Sequence, residues 1–113
     1  MADYSAKVFN QSTSAYAASL VISANPALLY GITGYNSKAS AQFIQLHDVA
    51  SLPADAEVPV ITFTVPASSN FSLSFPEGRP FRTGIVICNS STGATKTIGS
   101  ADCWFDAQVG TFI

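Results

Sequence analysis

The sequence predicts an all-β domain: a single antiparallel β-sandwich of jelly-roll or immunoglobulin-like type, with about seven strands and an N-terminal arm. Three observations predict it. Apolar and polar residues alternate with a period of two through most of the chain. Clusters of Gly, Pro, Asn and Asp interrupt these runs at short intervals. No segment sustains the 3.6-residue period of an amphipathic helix, and residues 15–20 offer one helical turn at most. At 113 residues the chain has the size of one domain, enough to bury a core without metal or disulfide staples. The expected division is an arm over 1–17 and a sandwich over 18–113.

Residues 1–17 are rich in Ser and Ala and carry no clear period. Gln11-Ser12-Thr13-Ser14 reads as coil, so the segment is expected to be free or to order against a neighbouring subunit. Residues 19–23 set Leu20 and Ile22 against Ser19, Val21 and Ser23, and Asn25-Pro26 ends that strand. Residues 27–33 form an apolar run, and Gly34-Tyr35-Asn36-Ser37 supplies the expected turn. Residues 41–48 place Ile44 and Leu46 on the core face, with Phe43, Gln45 and His47 on the other. Pro53-Ala54-Asp55 marks a long loop. Residues 58–65 alternate Ile61, Phe63 and Val65 with Thr62 and Thr64; residues 71–75 alternate Phe71, Leu73 and Phe75 with Ser72 and Ser74. Residues 84–89 hold Ile85-Val86-Ile87-Cys88, apolar on both faces, the pattern of a central strand covered on both sides. After a polar connection over 90–100, residues 101–109 set Cys103, Phe105, Ala107 and Val109 against Asp102, Asp106 and Gln108.

Charged residues make up 11% of the chain, against about 25% in an average soluble domain. A surface of hydroxyl, small and apolar groups repels its neighbours weakly and suits close packing on another protein. The five bases are Lys7, Lys38, Arg79, Arg82 and Lys96, and the net charge is −2. Only Arg79 and Arg82 lie close together, so no basic stripe exists for nucleic acid. No apolar run reaches the roughly 18 residues that span a bilayer, so no membrane partner is expected. Met1-Ala2-Asp3-Tyr4-Ser5 has an acid where a secretory signal has bases, so the expectation is an unprocessed protein made in a cytoplasm. Cys88 and Cys103 are either two buried thiols or a cross-strand disulfide in a hairpin turning near Thr95 and Lys96.

The chemistry-bearing residues form no motif. His47, the one histidine, precedes Asp48, but no G-x-S-x-G elbow singles out a serine, and the alternation places His47 on the outward face. Asp102 and Asp106 lie about 13 Å apart along a strand, beyond the 5–9.5 Å or so of paired glycosidase carboxylates. No C-x-x-C, H-x-H or acidic-loop signature gathers metal ligands, and the glycines form no phosphate loop. No enzyme activity, cofactor or metal is therefore expected. Residues 76–84, Pro-Glu-Gly-Arg-Pro-Phe-Arg-Thr-Gly, form the most unusual stretch. They read as an inter-strand loop whose arginines cap carbonyls or pair with Glu77, or as a rigid interface anchor. Arg79, Phe81, Arg82 and Tyr35 are the candidate interface residues. Trp104, Tyr30 and Tyr35 are candidates for stacking on sugars, though a lone tryptophan more often fills a core.

Four segments carry a family resemblance: Leu29-Tyr30-Gly31-Ile32-Thr33-Gly34-Tyr35-Asn36, Ala41-Gln42-Phe43-Ile44-Gln45-Leu46-His47-Asp48, Val65-Pro66-Ala67, and the run from Gly78 to Thr92 that includes Gly78-Arg79-Pro80-Phe81-Arg82. In this order, each leading into a strand, they resemble a group of small virion-associated proteins of tailed bacteriophages. The likeness covers roughly three-quarters of the chain and leaves out the first 26 residues. It implies a β-sandwich that coats or decorates the particle as a capsid decoration (cement) protein, a head-fibre base, or a collar or tail component. The implied partners are other virion proteins, the major capsid protein or portal and tail components, and copies of the chain itself, with a trimer favoured. The implied location is the virion, after synthesis in the bacterial host cytoplasm. A receptor- or carbohydrate-binding module of a phage fibre or tail is the alternative. No catalytic residues come with the likeness.

Overall fold

A computed structural model describes residues 8–111. Among them lie eight strands and no helix: β1 (Val8–Ser12), β2 (Ser19–Ser23), β3 (Ala27–Asn36), β4 (Gln42–His47), β5 (Ile61–Val65), β6 (Ser69–Phe81), β7 (Ile85–Ser90) and β8 (Cys103–Gly110). They form two four-stranded antiparallel sheets, ordered β1-β8-β3-β6 and β2-β7-β4-β5. First pairs with eighth, second with seventh, third with sixth and fourth with fifth. The chain is thus one long antiparallel ribbon, doubled back at β4 and β5, and rolled until β8 meets β3 and β7 meets β4.

The period-two patterns define what the two sheets share. Ile22, Leu29, Ile32, Ile44, Leu46, Val65, Phe71, Phe81, Ile85, Ile87, Phe105 and Val109 form one core, drawn from strands of both sheets. Leu73 and Phe75 pack against it while Ser72 and Ser74 face solvent, as their alternation predicts. Leu29 and Ile32 both point inward although three residues separate them. A bulge at Tyr30 shifts the register of β3 against β8, from Leu29↔Val109 to Gly31↔Gln108, and reverses the phase of the strand.

Three expectations are corrected. The structure has eight strands, not about seven, because residues 8–12 pair along β8 from Val8↔Gly110 to Ser12↔Asp106. Lacking clear alternation, β1 gains its order from β8's backbone; residues 1–7 of the expected arm lie outside the described residues. The expected turn at 34–37 is strand through Asn36. A Cβ on Gly34 would meet the ring of Phe71 and the carbonyl of Trp104, so glycine serves there for space and not for turning. Of residues 76–84, expected as a loop, 79–81 pair along β3 as the end of β6. β6 is an edge strand, where Pro76 and Pro80 cost no ladder bond. Residues 75–78 loop out opposite Tyr30, with Gly78 at φ 80° and its Cα against the Tyr30 ring. Of the two readings of Cys88 and Cys103, two buried thiols is the one found: β7 and β8 lie in different sheets, and both thiols are free and buried.

Phe81, a candidate interface residue, is fully buried in the shared core. Phe81→Ala is expected to lower the free energy of unfolding by about 3–5 kcal/mol in a urea titration of the isolated chain. Unchanged stability would restore it as a surface anchor.

Candidate functional site

The outer face of the β2-β7-β4-β5 sheet gathers His47, Cys88, Lys96 and Asp55. Cross-strand register sets Gln45 beside Cys88, His47 beside Val86 and Phe43 beside Ser90. Two long connections, 48–60 and 91–102, lie over them and pair with each other: the Ala56 amide donates to the Lys96 carbonyl and the Lys96 amide to the Glu57 carbonyl, each at 2.8 Å. Gln45 Nε2 donates to the carbonyls of Thr92, Gly93 and Thr95 at 2.9, 3.1 and 3.1 Å. Two amide hydrogens shared among three carbonyls hold the second connection down. Gln45 Oε1 lies 3.2 Å from His47 Nε2. An amide oxygen only accepts, so His47 carries its proton on Nε2 and donates it. The Lys96 ammonium, buried, bonds Asp55 Oδ1 at 2.6 Å, and the same oxygen accepts from the Ile98 amide.

His47 takes the outward face of its strand, as the alternation predicts, yet is buried. The alternation places it opposite Ile44 and Leu46, but that second face is covered by connections whose docking no period announces. Burial, and then the Lys96 charge, push its pKa below the ordinary histidine value, with a small opposing pull from Glu57. Burial pushes the Cys88 thiol up to about 11, and does the same for Cys103. Both keep their protons at neutral pH and lack the nucleophilicity of a thiolate. Among the described residues no group of three or more His, Cys, Asp or Glu side chains is placed to hold a metal ion. The layer is a clamp on two connections.

The four candidate interface residues do not converge. Arg79 is half-buried, its guanidinium 4.9 Å from the centroid of the Phe81 ring. Arg82 is exposed, in a tight connection whose amides at Arg82, Thr83 and Gly84 all donate to the Asp48 carboxylate, at 3.0, 2.8 and 3.3 Å. These bonds hold Asp48 below the usual carboxylate range despite some desolvation. Tyr35 is half-buried near the other end of β3, six residues from Leu29, which pairs with Arg79, a separation of about 20 Å.

The sequence reading missed an apolar edge. β1 and β2 are the edge strands on one side of the two sheets. Val8, Phe9 and Val21 are 43, 43 and 42% exposed there. A cleft of about 420 Å³, lined by Phe9, Gln11, Val21, Ile22, Pro26 and Val109 among others, opens between the strands. The Val8-Phe9 pair is its one signal in the sequence, inside the segment expected to be an arm.

The fold defines an all-β protein of two stacked antiparallel sheets. Comparison with protein-family models, curated proteins and solved structures gives no significant match.

The depressed His47 pKa has a definite sign. The unfolded chain takes up a proton near the ordinary value, while the folded chain resists it, so stability is complete above that value and falls as pH drops. The urea midpoint is expected to fall between about pH 7 and pH 5, and His47→Gln to flatten that slope. Asp48 and Asp55 act in a separate window, below about pH 4. Removing the acceptor of three amides by Asp48→Ala is expected to cost roughly 1–3 kcal/mol by the same measurement. The thiols are expected to ignore a disulfide reagent in the native chain and to react at both sites in denaturant.

Proposed function

We propose that this chain is a non-enzymatic structural protein of a tailed-phage particle, a capsid decoration protein that packs on other virion proteins and on copies of itself. The observation that carries the reading is the apolar edge of β1 and β2, where Val8, Phe9 and Val21 are exposed and Phe9 and Val21 border an open cleft. Apolar residues grouped at an edge whose backbone groups have no strand partner among the described residues favour association. β1 carries no Lys, Pro or other charge between Val8 and Ser12 to discourage pairing.

The strand order adds support. The nested pairing β1·β8, β2·β7, β3·β6, β4·β5 rolled into two sheets is a jelly-roll winding, an architecture used in viral capsids among other settings. The resemblance of segments such as Gly78–Thr92 to virion-associated proteins points the same way. On this reading the N-terminal segment and β1 make the contact, with Arg82 and the exposed part of Arg79 as a secondary surface. The partners are the major capsid protein or portal and tail components, and a trimer is the favoured self-assembly.

Light scattering on the purified full chain, with cryo-electron microscopy of particles from a phage that encodes it, tests the proposal. A homo-oligomer in solution and density for the chain on the particle surface are expected. Phe9→Glu with Val21→Glu is expected to abolish both while the β-type circular dichroism spectrum persists. A monomeric wild-type chain missing from the particle overturns it.

A further inference from the structure

The outer face of the other sheet has a different character. Along β3 the outward positions are Gly31, Thr33 and Tyr35. Their neighbours are Gln108, Asp106 and Trp104 on β8, and Ser74, Ser72 and Asn70 on β6. Two adjoining depressions of about 350 and 230 Å³ follow this line and share Thr33 and Ser72. Small residues on the middle strand leave a trough, walled on the β8 side by long polar side chains. From Gly31 to Gly34 it runs about 10 Å along β3, longer than one pyranose ring.

The trough ends at aromatic residues. Trp104 is 37% exposed, and across it a further depression of about 330 Å³ is lined by Thr13, Ser14, Ala15 and Tyr16, the last 50% exposed. Tyr35 is the cross-strand neighbour of Trp104. The lining also carries amides (Gln108, Asn70), hydroxyls (Thr33, Ser72, Ser74) and one carboxylate, Asp106. Asp106 Oδ1 has no hydrogen-bond partner among the described residues. No lysine or arginine lines either depression.

We propose that this trough binds a neutral oligosaccharide. Amides, hydroxyls and a carboxylate supply mixed donors and acceptors for sugar hydroxyls, and a broad aromatic surface suits the apolar faces of pyranose rings. A polyanion finds no cation here and meets Asp106, which repels it. An apolar protein surface would leave the amides and the carboxylate unpaired. The assignment is independent of the edge at β1 and β2.

The test is a nitrogen-15 NMR titration of the full chain with maltohexaose, chitohexaose and hexagalacturonate. At least one neutral hexaose is expected to shift the Trp104 indole resonance and amides from Gly31 to Tyr35, whereas the anionic hexamer leaves them unmoved. Trp104→Ala is expected to weaken that binding by about tenfold. Ser72→Tyr, an exposed strand position that accepts an aromatic residue, fills the trough and is expected to remove binding while the remaining amide spectrum stays folded. No shift with either neutral sugar overturns the proposal, as does binding that survives Ser72→Tyr. Shifts that follow protein concentration instead of sugar assign the face to self-association and overturn it as well.

Discussion

A strand buried on both faces needs two covers, and β7 imposes that requirement on the whole molecule. All six of its residues are buried. Ile85 and Ile87 face the shared core, where β3, β6 and β8 of the opposite sheet supply partners. Val86, Cys88 and Ser90 face outward, where no second sheet exists. The chain completes the cover with connections 48–60 and 91–102, and those bring polar backbone with them. Irregular backbone laid over a sheet needs hydrogen-bond partners, and Gln45, Asp55 and Lys96 provide them. A leucine at position 45 would leave three carbonyls without their donor.

The few charges in the chain follow the same logic. Lys96 is buried with Asp55 as its ion-pair partner, and the pair ties one connection to the other. Asp48 sits at the end of β4 and closes the turn between β6 and β7 by accepting three amides. Lys38 and Asp102 approach to 3.6 Å, where Ser37 also bonds the Asp102 carbonyl. With such groups committed to holding connections, the outside is left to hydroxyls, amides and scattered apolar side chains. The two sides of the molecule then differ: a polar trough ending in aromatic residues on one sheet face, and an apolar cleft at the β1 and β2 edge. The first suits a small hydroxylated ligand and the second a protein surface, so decoration of a particle and recognition of a saccharide are compatible on one domain.

The amino-acid sequence by itself determined the strands whose side chains report on the core. Period-two alternation in 19–23, 61–65, 71–75 and 103–109 places inward and outward residues as they are found, and the doubly apolar 85–88 identified a central strand. It also determined the scarcity of charge. Tertiary structure alone decided the rest, because the deciding partners are distant in sequence. β1 is a strand because the backbone of β8 lies beside it, and backbone pairing leaves no mark on a sequence that lacks clear alternation. Gly34 reads as a turn until the Phe71 ring is seen to need its space. Pro76 and Pro80 read as a loop until β6 proves to be an edge. His47 reads as exposed until two connections close over it, and Phe81 reads as an anchor until it is placed in the core. A period reports which face a side chain takes. What covers that face is decided by parts of the chain that carry no period of their own.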